Sequence, residues 1–252
     1  MRRLCHIAAG LLWLLTLDAS ARIGTLRTLT GALNDVDVTF SPPSGLLLNL
    51  KGGGTALIPL ASLVSARFES TTAPAPNAFH QWVLFRNGSI LPAQLVRGST
   101  TEFHLEYRTL KFKPALLDVA GVLYQPGDPG QWPEFQTGRT GVALKSGDFM
   151  DGTLRDLDNT HVGLTTVLFG YRQLPLDKTV AAVVLRALQP TSVRYQLRLA
   201  DGSVYGSKAV PAMAAGETFI VADPVLGEIR IPFNAVVEFK TLPPALPPAN
   251  AR

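Results

Sequence analysis

The sequence predicts an all-β protein built from four tandem units of five short strands. Apolar residues alternate with polar ones over short stretches, as at Val36, Val38 and Phe40, a period of two that is typical of strands with one buried face. The chain holds 22 glycines and 19 prolines, which fall between these stretches, where tight turns need them. After residue 21 we find no helical period of useful length, so strands and turns account for the chain.

A recurring phrase predicts where each unit ends. An apolar residue, a proline and another apolar residue lead into a second apolar run at Ile58-Pro59-Leu60, Leu174-Pro175-Leu176 and Ile231-Pro232-Phe233, with a blurred copy at Phe112-Lys113-Pro114. A glycine turn stands about 25 to 30 residues earlier in three copies, at Asn87-Gly88-Ser89, Ser146-Gly147-Asp148 and Asp201-Gly202-Ser203. Self-similarity at a fixed period indicates one supersecondary unit copied along the chain.

The repeat divides the chain into six segments. These are a signal peptide at 1–21, a divergent first unit at 22–70, a second unit at 79–125, a third at 138–188, a fourth at 193–241 and a proline-rich tail at 242–252. We expect each unit to bury its alternate side chains in its own core.

The fourth unit shows the expected order of strands most clearly. Strands are predicted at 195–200, 203–210, 218–222, 228–231 and 236–240, with a hairpin turn at Asp201-Gly202. The proline between the last two strands would sit at a corner, where its missing amide hydrogen is harmless. Five short strands can curl into a small closed or nearly closed barrel, or form a meander.

This order resembles the small barrels of the Sm-like and SH3-like kind, in which a glycine hairpin follows the first strand and a tight turn joins the last two. The same phrases also resemble uncharacterised repeat regions of exported bacterial proteins. The resemblance covers about 220 residues at the level of pattern. It does not imply RNA binding, because no Sm-type RNA-binding signature is present. A four-bladed β-propeller is the alternative architecture, and closure of the ends into a ring would distinguish it.

The N-terminus predicts export. Arg2 and Arg3 precede an apolar run, and Ala19-Ser20-Ala21 supplies small residues for cleavage after Ala21. The alternative is an uncleaved membrane anchor. The single cysteine, Cys5, lies inside the leader, so the mature chain would form no disulfide. We expect a periplasmic or secreted protein with no membrane span after signal cleavage.

The charge of the chain argues against a nucleic-acid partner. The formal net charge of +4 falls to about +3 when residues 1–21 are removed. The cationic residues are spread along the sequence, unlike the clustered basic footprint of a nucleic-acid binder.

The longest loop between units carries three of the predicted ligand-binding residues, Trp132, Glu134 and Phe135, and the fourth, Arg139, follows directly after it. Flat apolar ring faces beside polar groups suit a sugar or a peptide. The alternative interpretation is that these aromatic residues pin the loop, at 125–137, onto the body beneath it.

No residue pattern predicts catalysis, a metal site or a cofactor. His80, His104 and His161 fall in separate units, so they do not suggest a zinc site or a nucleophile-base pair. The densest group of possible ligands is Asp156, Asp158, Asn159 and His161. This group lacks the turn glycine and distal glutamate of a calcium loop, and a solvated turn is the simpler interpretation.

These observations together favour an exported, non-enzymatic structural or binding protein. Small curled sheets leave unpaired edges that must be shielded or used, so we expect contact with a protein partner or an envelope polysaccharide through strand edges and the loops between units. The alternative is an extracellular polysaccharide hydrolase or lyase, in which the fold would bring together carboxylates such as Asp156 or Glu134.

Overall fold

The structure is a computed structural model that describes residues 21–41, 45–50, 53–69, 81–99, 103–107, 110–124, 132–189, 193–214 and 217–243. Residues 1–20 of the predicted signal peptide, His80 and most of the proline-rich tail lie outside the described residues, and the expectations about them stay predictions.

The described chain is all-β. The first predicted unit contains β1 (Arg22–Thr28), β2 (Ala32–Ser41), β3 (Gly45–Asn49), β4 (Thr55–Pro59) and β5 (Leu63–Phe68). The second contains β6 (Trp82–Phe85), β7 (Ile90–Pro92), β8 (Gln94–Ser99), β9 (Phe103–Tyr107), β10 (Leu110–Phe112) and β11 (Val119–Leu123). A short helix, α1 (Glu134–Thr137), precedes the third, which contains β12 (Gly141–Leu144), β13 (Phe149–Asp151), β14 (Thr153–Leu157), β15 (His161–Thr166), β16 (Gly170–Pro175) and β17 (Val180–Val184). The fourth contains β18 (Tyr195–Leu199), β19 (Val204–Ser207), β20 (Ala212–Ala214), β21 (Thr218–Asp223), β22 (Gly227–Pro232) and β23 (Val236–Thr241).

The predicted proline phrase forms a corner. Strand β4 ends at Pro59 and β22 ends at Pro232, both in extended conformation, and a single 3-10 turn, Leu60–Ser62 or Phe233–Ala235, then leads into the next strand. A similar 3-10 turn, Leu116–Asp118, precedes β11. Proline is tolerated here because a strand end requires no ladder hydrogen bond from it.

The strands pair antiparallel in three open sheets. The first has 14 strands in the order β13-β12-β17-β11-β6-β7-β19-β18-β23-β5-β1-β2-β3-β4, the second has the order β10-β9-β8-β14-β15-β16, and the third is β20-β21-β22. Within the described residues no sheet closes on itself, so the prediction of closed barrels is wrong. The continuous long sheet also differs from the separate blades of the propeller alternative.

Pairing between the predicted units explains this continuity. Strand β5 pairs with β23, β7 with β19 and β11 with β17. Each of these pairs joins strands of two different units. A strand edge that would be free in an isolated unit is therefore paired with a strand of another unit, and the sheet continues across both.

The buried side chains follow the sheet and not the units. The larger apolar cluster draws on all four predicted units, as Leu26, Phe103, Val180 and Phe239 illustrate. The expectation of four separate cores is therefore wrong, because a continuous sheet has a continuous inner face. A smaller cluster around Leu84 lies on the opposite face, since successive strand residues such as Val83 and Leu84 point to opposite sides.

A buried arginine ties the first described strand to the end of the chain. The Arg22 guanidinium donates hydrogen bonds to the carbonyl oxygens of Phe233 at 2.8 Å and Val236 at 2.6 Å, and to that of Glu69. It also lies 5.3 and 5.4 Å from the ring centres of Phe68 and Phe233. The start of β1 is thus fixed by groups more than 200 residues away in sequence.

Among the described residues, none of the helical segments has the length and apolar character that crossing a membrane requires.

Candidate functional site

The predicted aromatic site lies on the outer face of the long sheet, where α1 covers the smaller apolar cluster. Phe135 is completely buried, whereas Trp132 is partly exposed, and the two rings meet edge to face with centroids 6.4 Å apart. The Phe135 ring occupies the space above Gly121, where an added Cβ would lie 2.7 Å from its Cε1 atom. Phe135 therefore presents no ring face to a ligand, and only Trp132 remains of the predicted aromatic platform.

Arg139 is held by a carboxylate of strand β13. Its guanidinium binds both carboxylate oxygens of Asp151, with Nε 2.5 Å from Oδ1, and lies 4.9 Å from the ring centre of Phe149. The hydrogen bonds raise the pKa of Arg139 and lower the pKa of Asp151. Because both groups are exposed, this pair orients side chains more than it stabilises the fold. Glu134, at the start of α1, is partly exposed.

Arg139 lines a cleft of about 780 Å³, which we call the edge cleft. One wall is the β12–β13 hairpin and the other is the end of the β15–β16 hairpin. Its lining includes Arg139, Phe149, Asp151, Thr165, Val167 and Phe169. Of these six residues, only Arg139 is among the residues predicted from the sequence.

The floor of the edge cleft includes the free edge of a strand. Strand β13 ends the order of the long sheet, and in the described part of the chain only β12 pairs with it. Leu144 N–H donates to the carbonyl of Asp148, and Gly152 N–H donates to that of Thr140. Hydrogen-bonded and non-hydrogen-bonded pairs alternate in an antiparallel ladder. The backbone N–H and C=O groups of Met150 therefore point toward β12. Those of Phe149 and Asp151 point away from β12, at the edge that lines the cleft.

The opposite wall ends in an exposed apolar tip, formed by Val167, Leu168 and Phe169. Their exposed fractions are 101%, 84% and 56%, although isolated turns usually carry polar residues or glycine. Thr166 Oγ1 accepts a hydrogen bond from Phe169 N–H at 3.0 Å, so the tip has a defined turn. The signal in the sequence is three consecutive apolar residues directly before Gly170, at a position where a turn usually carries polar residues.

The group of possible ligands around Asp158 forms a turn, which is the simpler interpretation of the sequence. Asp158 Oδ1 accepts hydrogen bonds from Thr160 N–H at 2.6 Å, the Thr160 hydroxyl at 2.8 Å and His161 N–H at 2.8 Å. The bond from the Thr160 amide is the main cause that lowers the pKa of Asp158. Asp156 instead accepts a hydrogen bond from the Tyr171 hydroxyl at 3.2 Å.

His104 lies within β9, while His161 begins β15. Across the described ranges, no three potential metal-ligating side chains of histidine, cysteine, aspartate or glutamate are grouped together.

A second group of charges lies on the outer face of the long sheet around Glu238. Its carboxylate is 2.9 Å from Arg67 Nε, 3.4 Å from Lys240 Nζ and 3.6 Å from Arg198 Nε. Burial alone would raise the pKa of Glu238, but the hydrogen bond from Arg67 and the charge of Lys240 outweigh it, so the pKa lies below its ordinary value.

This arrangement predicts a loss of stability in acid. A carboxyl group whose pKa is lower in the folded than in the unfolded chain, where it is about 4.3, stabilises the fold above the unfolded value and ceases to do so as pH falls through the folded value. We expect Glu238→Gln to be less stable than the wild type at pH 6 and to approach it at pH 3, measured by urea unfolding. An equal difference at both pH values would contradict this role for Glu238.

Comparison of the chain with protein-family models, with curated proteins and with solved structures finds no match.

Proposed function

We propose that this chain is an exported, non-enzymatic binding protein of four similar β units, and that it captures an extended peptide segment of a partner protein in the edge cleft. The observation that carries this proposal is the free edge of β13, whose outward N–H and C=O groups at Phe149 and Asp151 line a cleft large enough for a peptide.

Four similar units are supported by a pairing that recurs. The first strand pairs with the last in each predicted unit, as β1 with β5, β6 with β11, β12 with β17 and β18 with β23. The second strand breaks or bends in the last three units, so that its two halves lie in different sheets.

An added peptide strand would pair with the unpaired backbone groups at the β13 edge. Unpaired backbone groups at a sheet edge are a template for another strand, and the main-chain hydrogen bonds supply affinity without demanding a particular sequence. The backbone groups of Phe149 and Asp151 offer two donors and two acceptors for this purpose.

The apolar tip supplies the selectivity that backbone hydrogen bonds lack. Side chains of an added strand would alternate between the two faces, and those turned toward Val167, Leu168 and Phe169 would bury apolar surface. The Arg139–Asp151 pair at the other wall offers one charge of each sign to polar side chains. The cleft therefore favours an extended segment with alternate apolar residues.

Leu168→Asp tests this proposal. We expect a fluorescent peptide, selected on the wild type from a random dodecapeptide library, to bind the variant about tenfold or more weakly, because the contact of an exposed apolar residue with the peptide is lost. The matched control is Leu29→Asp, since Leu29 is 88% exposed in the turn between β1 and β2. Neither change should alter the melting temperature appreciably, because both leucines are exposed.

Amide chemical shifts locate the bound peptide. Addition of the strand predicts that the Phe149 and Asp151 amides shift most and become protected from hydrogen exchange. Equal affinity of Leu168→Asp and wild type, or shifts confined to another edge such as β4 or β16, would reject the edge cleft as the site.

A further inference from the structure

Cationic residues that are dispersed in the sequence collect on one face of the long sheet. We call this the basic face, defined by Arg27, Arg67, Arg194, Arg198 and Lys240. Register places Arg198 opposite Glu238 and Glu238 opposite Arg67. In the next row Lys240 is opposite Ser65, and Ser65 is opposite Arg27. The basic face thus spans four neighbouring strands, β18, β23, β5 and β1.

The charge of the basic face is poorly balanced. Glu238 lies at its centre and is close to three cations, with Arg67 at 2.9 Å, Lys240 at 3.4 Å and Arg198 at 3.6 Å. Within the described residues, Arg27 and Arg194 have no carboxylate partner. Further carboxylates lie at the border of the basic face. Glu69 N–H bonds to the Ile23 carbonyl, Asp37 of β2 is opposite Ile23, and Asp35 lies at the bulge opposite Thr25. Within the basic face itself, five cations share the single carboxylate of Glu238.

The dimensions of this surface suit a polymer. Three interstrand spacings and four residues along β18 give a flat area of roughly 14 by 14 Å. Neutral hydrogen-bonding side chains, Thr25, Ser65 and Gln196, alternate with the cations in the same register. Two aromatic residues of these strands, Tyr195 of β18 and Phe239 of β23, point into the core and are only 6% and 1% exposed.

We propose that the basic face binds an acidic polysaccharide, whose carboxylates pair with the arginines and whose hydroxyls hydrogen-bond to Thr25, Ser65, Gln196 and Glu238. Guanidinium groups match carboxylates with two parallel hydrogen bonds, and the neutral side chains between the cations match the hydroxyls that separate the carboxylates of such a polymer. Single-stranded nucleic acids depend on exposed aromatic side chains for stacking, and the described residues of the basic face provide none.

The basic face is separate from the edge cleft. Six strands lie between β13 and β18 in the order of the long sheet. Binding of a polysaccharide here does not depend on the proposed capture of a peptide, so the two proposals can fail independently. If both hold, the chain would present a partner protein beside an acidic polymer.

The test uses the full mature chain and polygalacturonate as the probe, with neutral dextran as the uncharged control. We expect binding to polygalacturonate that weakens as salt is raised and no binding to dextran. The double variant Arg27→Ser/Arg194→Ser should weaken this binding by about five- to tenfold. Both side chains are exposed and unpaired among the described residues, so folding should be unaffected.

Two controls distinguish binding at the basic face from a general effect of the net charge of the protein. Arg155→Ser/Arg230→Ser removes the same charge from exposed positions on β14 and β22 and should bind polygalacturonate as the wild type does. A single-stranded DNA oligonucleotide of equal charge should bind more weakly than polygalacturonate. Tighter binding of DNA, equal losses in both double variants, or no binding of polygalacturonate at low salt would each overturn the proposal.

Discussion

Replacing Asp223 by alanine is expected to lower the free energy of unfolding by about 4 kcal/mol. The Asp223 side chain is only 3% exposed, and its carboxylate accepts five hydrogen bonds. The donors are Asn87 Nδ2 at 3.0 Å, Ser89 Oγ at 2.5 Å, Gly206 N at 3.2 Å, Val225 N at 2.8 Å and Leu226 N at 2.9 Å. Alanine would leave several of these donors buried without an acceptor.

The large effect follows from what Asp223 connects. Two of its donors belong to the Asn87-Gly88-Ser89 turn of the predicted second unit, more than 130 residues away, and the other three belong to the fourth. We expect Ser89→Ala to destabilise the wild type but to add little in the Asp223→Ala background, because coupled residues are not additive.

Asp158→Ala is the matched control for Asp223→Ala. The carboxylate of Asp158 accepts three hydrogen bonds, but all of them come from Thr160 and His161 in its own turn, and Asp158 is exposed. Water can replace the lost carboxylate there, so we expect a loss of about 1 kcal/mol. Urea unfolding measures both losses, and similar values for the two variants would contradict the role of Asp223 as a buried link.

Local sequence rules were sufficient for the class of the fold and for its turns. The three predicted glycine turns have Gly88, Gly147 and Gly202 in the left-handed region, with φ of 87°, 95° and 88°. Only glycine adopts this region without strain, so the turns could be read from the sequence. The corners at Pro59 and Pro232 could also be predicted locally, in this case because proline restricts its own backbone.

Long-range register was not predictable from these rules. The pairing of β5 with β23 and of β11 with β17 depends on how whole units meet, and no short phrase encodes it. Because register was not predictable, the cationic side chains were expected to be dispersed over the surface. Arg27, Arg67 and Arg198 are far apart in sequence, and only strand register brings them to one face.

The candidate site was predicted in part. The loop around Trp132 was recognised by its aromatic residues, and the burial of Phe135 agrees with the interpretation that these residues pin the loop onto the body. The binding of Arg139 to Asp151 was not expected. The expectation that strand edges make contacts stays a prediction, and it applies to few edges because the described chain pairs many edges of its units internally. In the described long sheet the edges of β13 and β4 remain, and β13 lies beside a cleft with an exposed apolar wall.

Phe135→Ala is the second substitution with a large expected effect, because it distinguishes the two interpretations of the predicted aromatic site. Removing a fully buried phenylalanine ring should lower the free energy of unfolding by about 4 kcal/mol, since the lost apolar burial and the remaining cavity both contribute. The ring fills the space above Gly121, and the backbone carbonyl of Phe135 accepts a hydrogen bond from Leu188 N–H at 2.7 Å. Both contacts indicate that α1 is held on the sheet.

Phe169→Ala removes the same ring from the apolar tip and is the matched control. Phe169 is 56% exposed, so its loss should change stability by less than about 0.5 kcal/mol, while it should weaken peptide binding in the edge cleft. Phe135→Ala should show the reverse pattern, with a large loss in urea unfolding and, at a temperature where it remains folded, unchanged peptide affinity. If Phe135→Ala instead kept its stability and lost affinity for the peptide, the ring would belong to a binding surface and the assignment of α1 as a structural cover would be wrong.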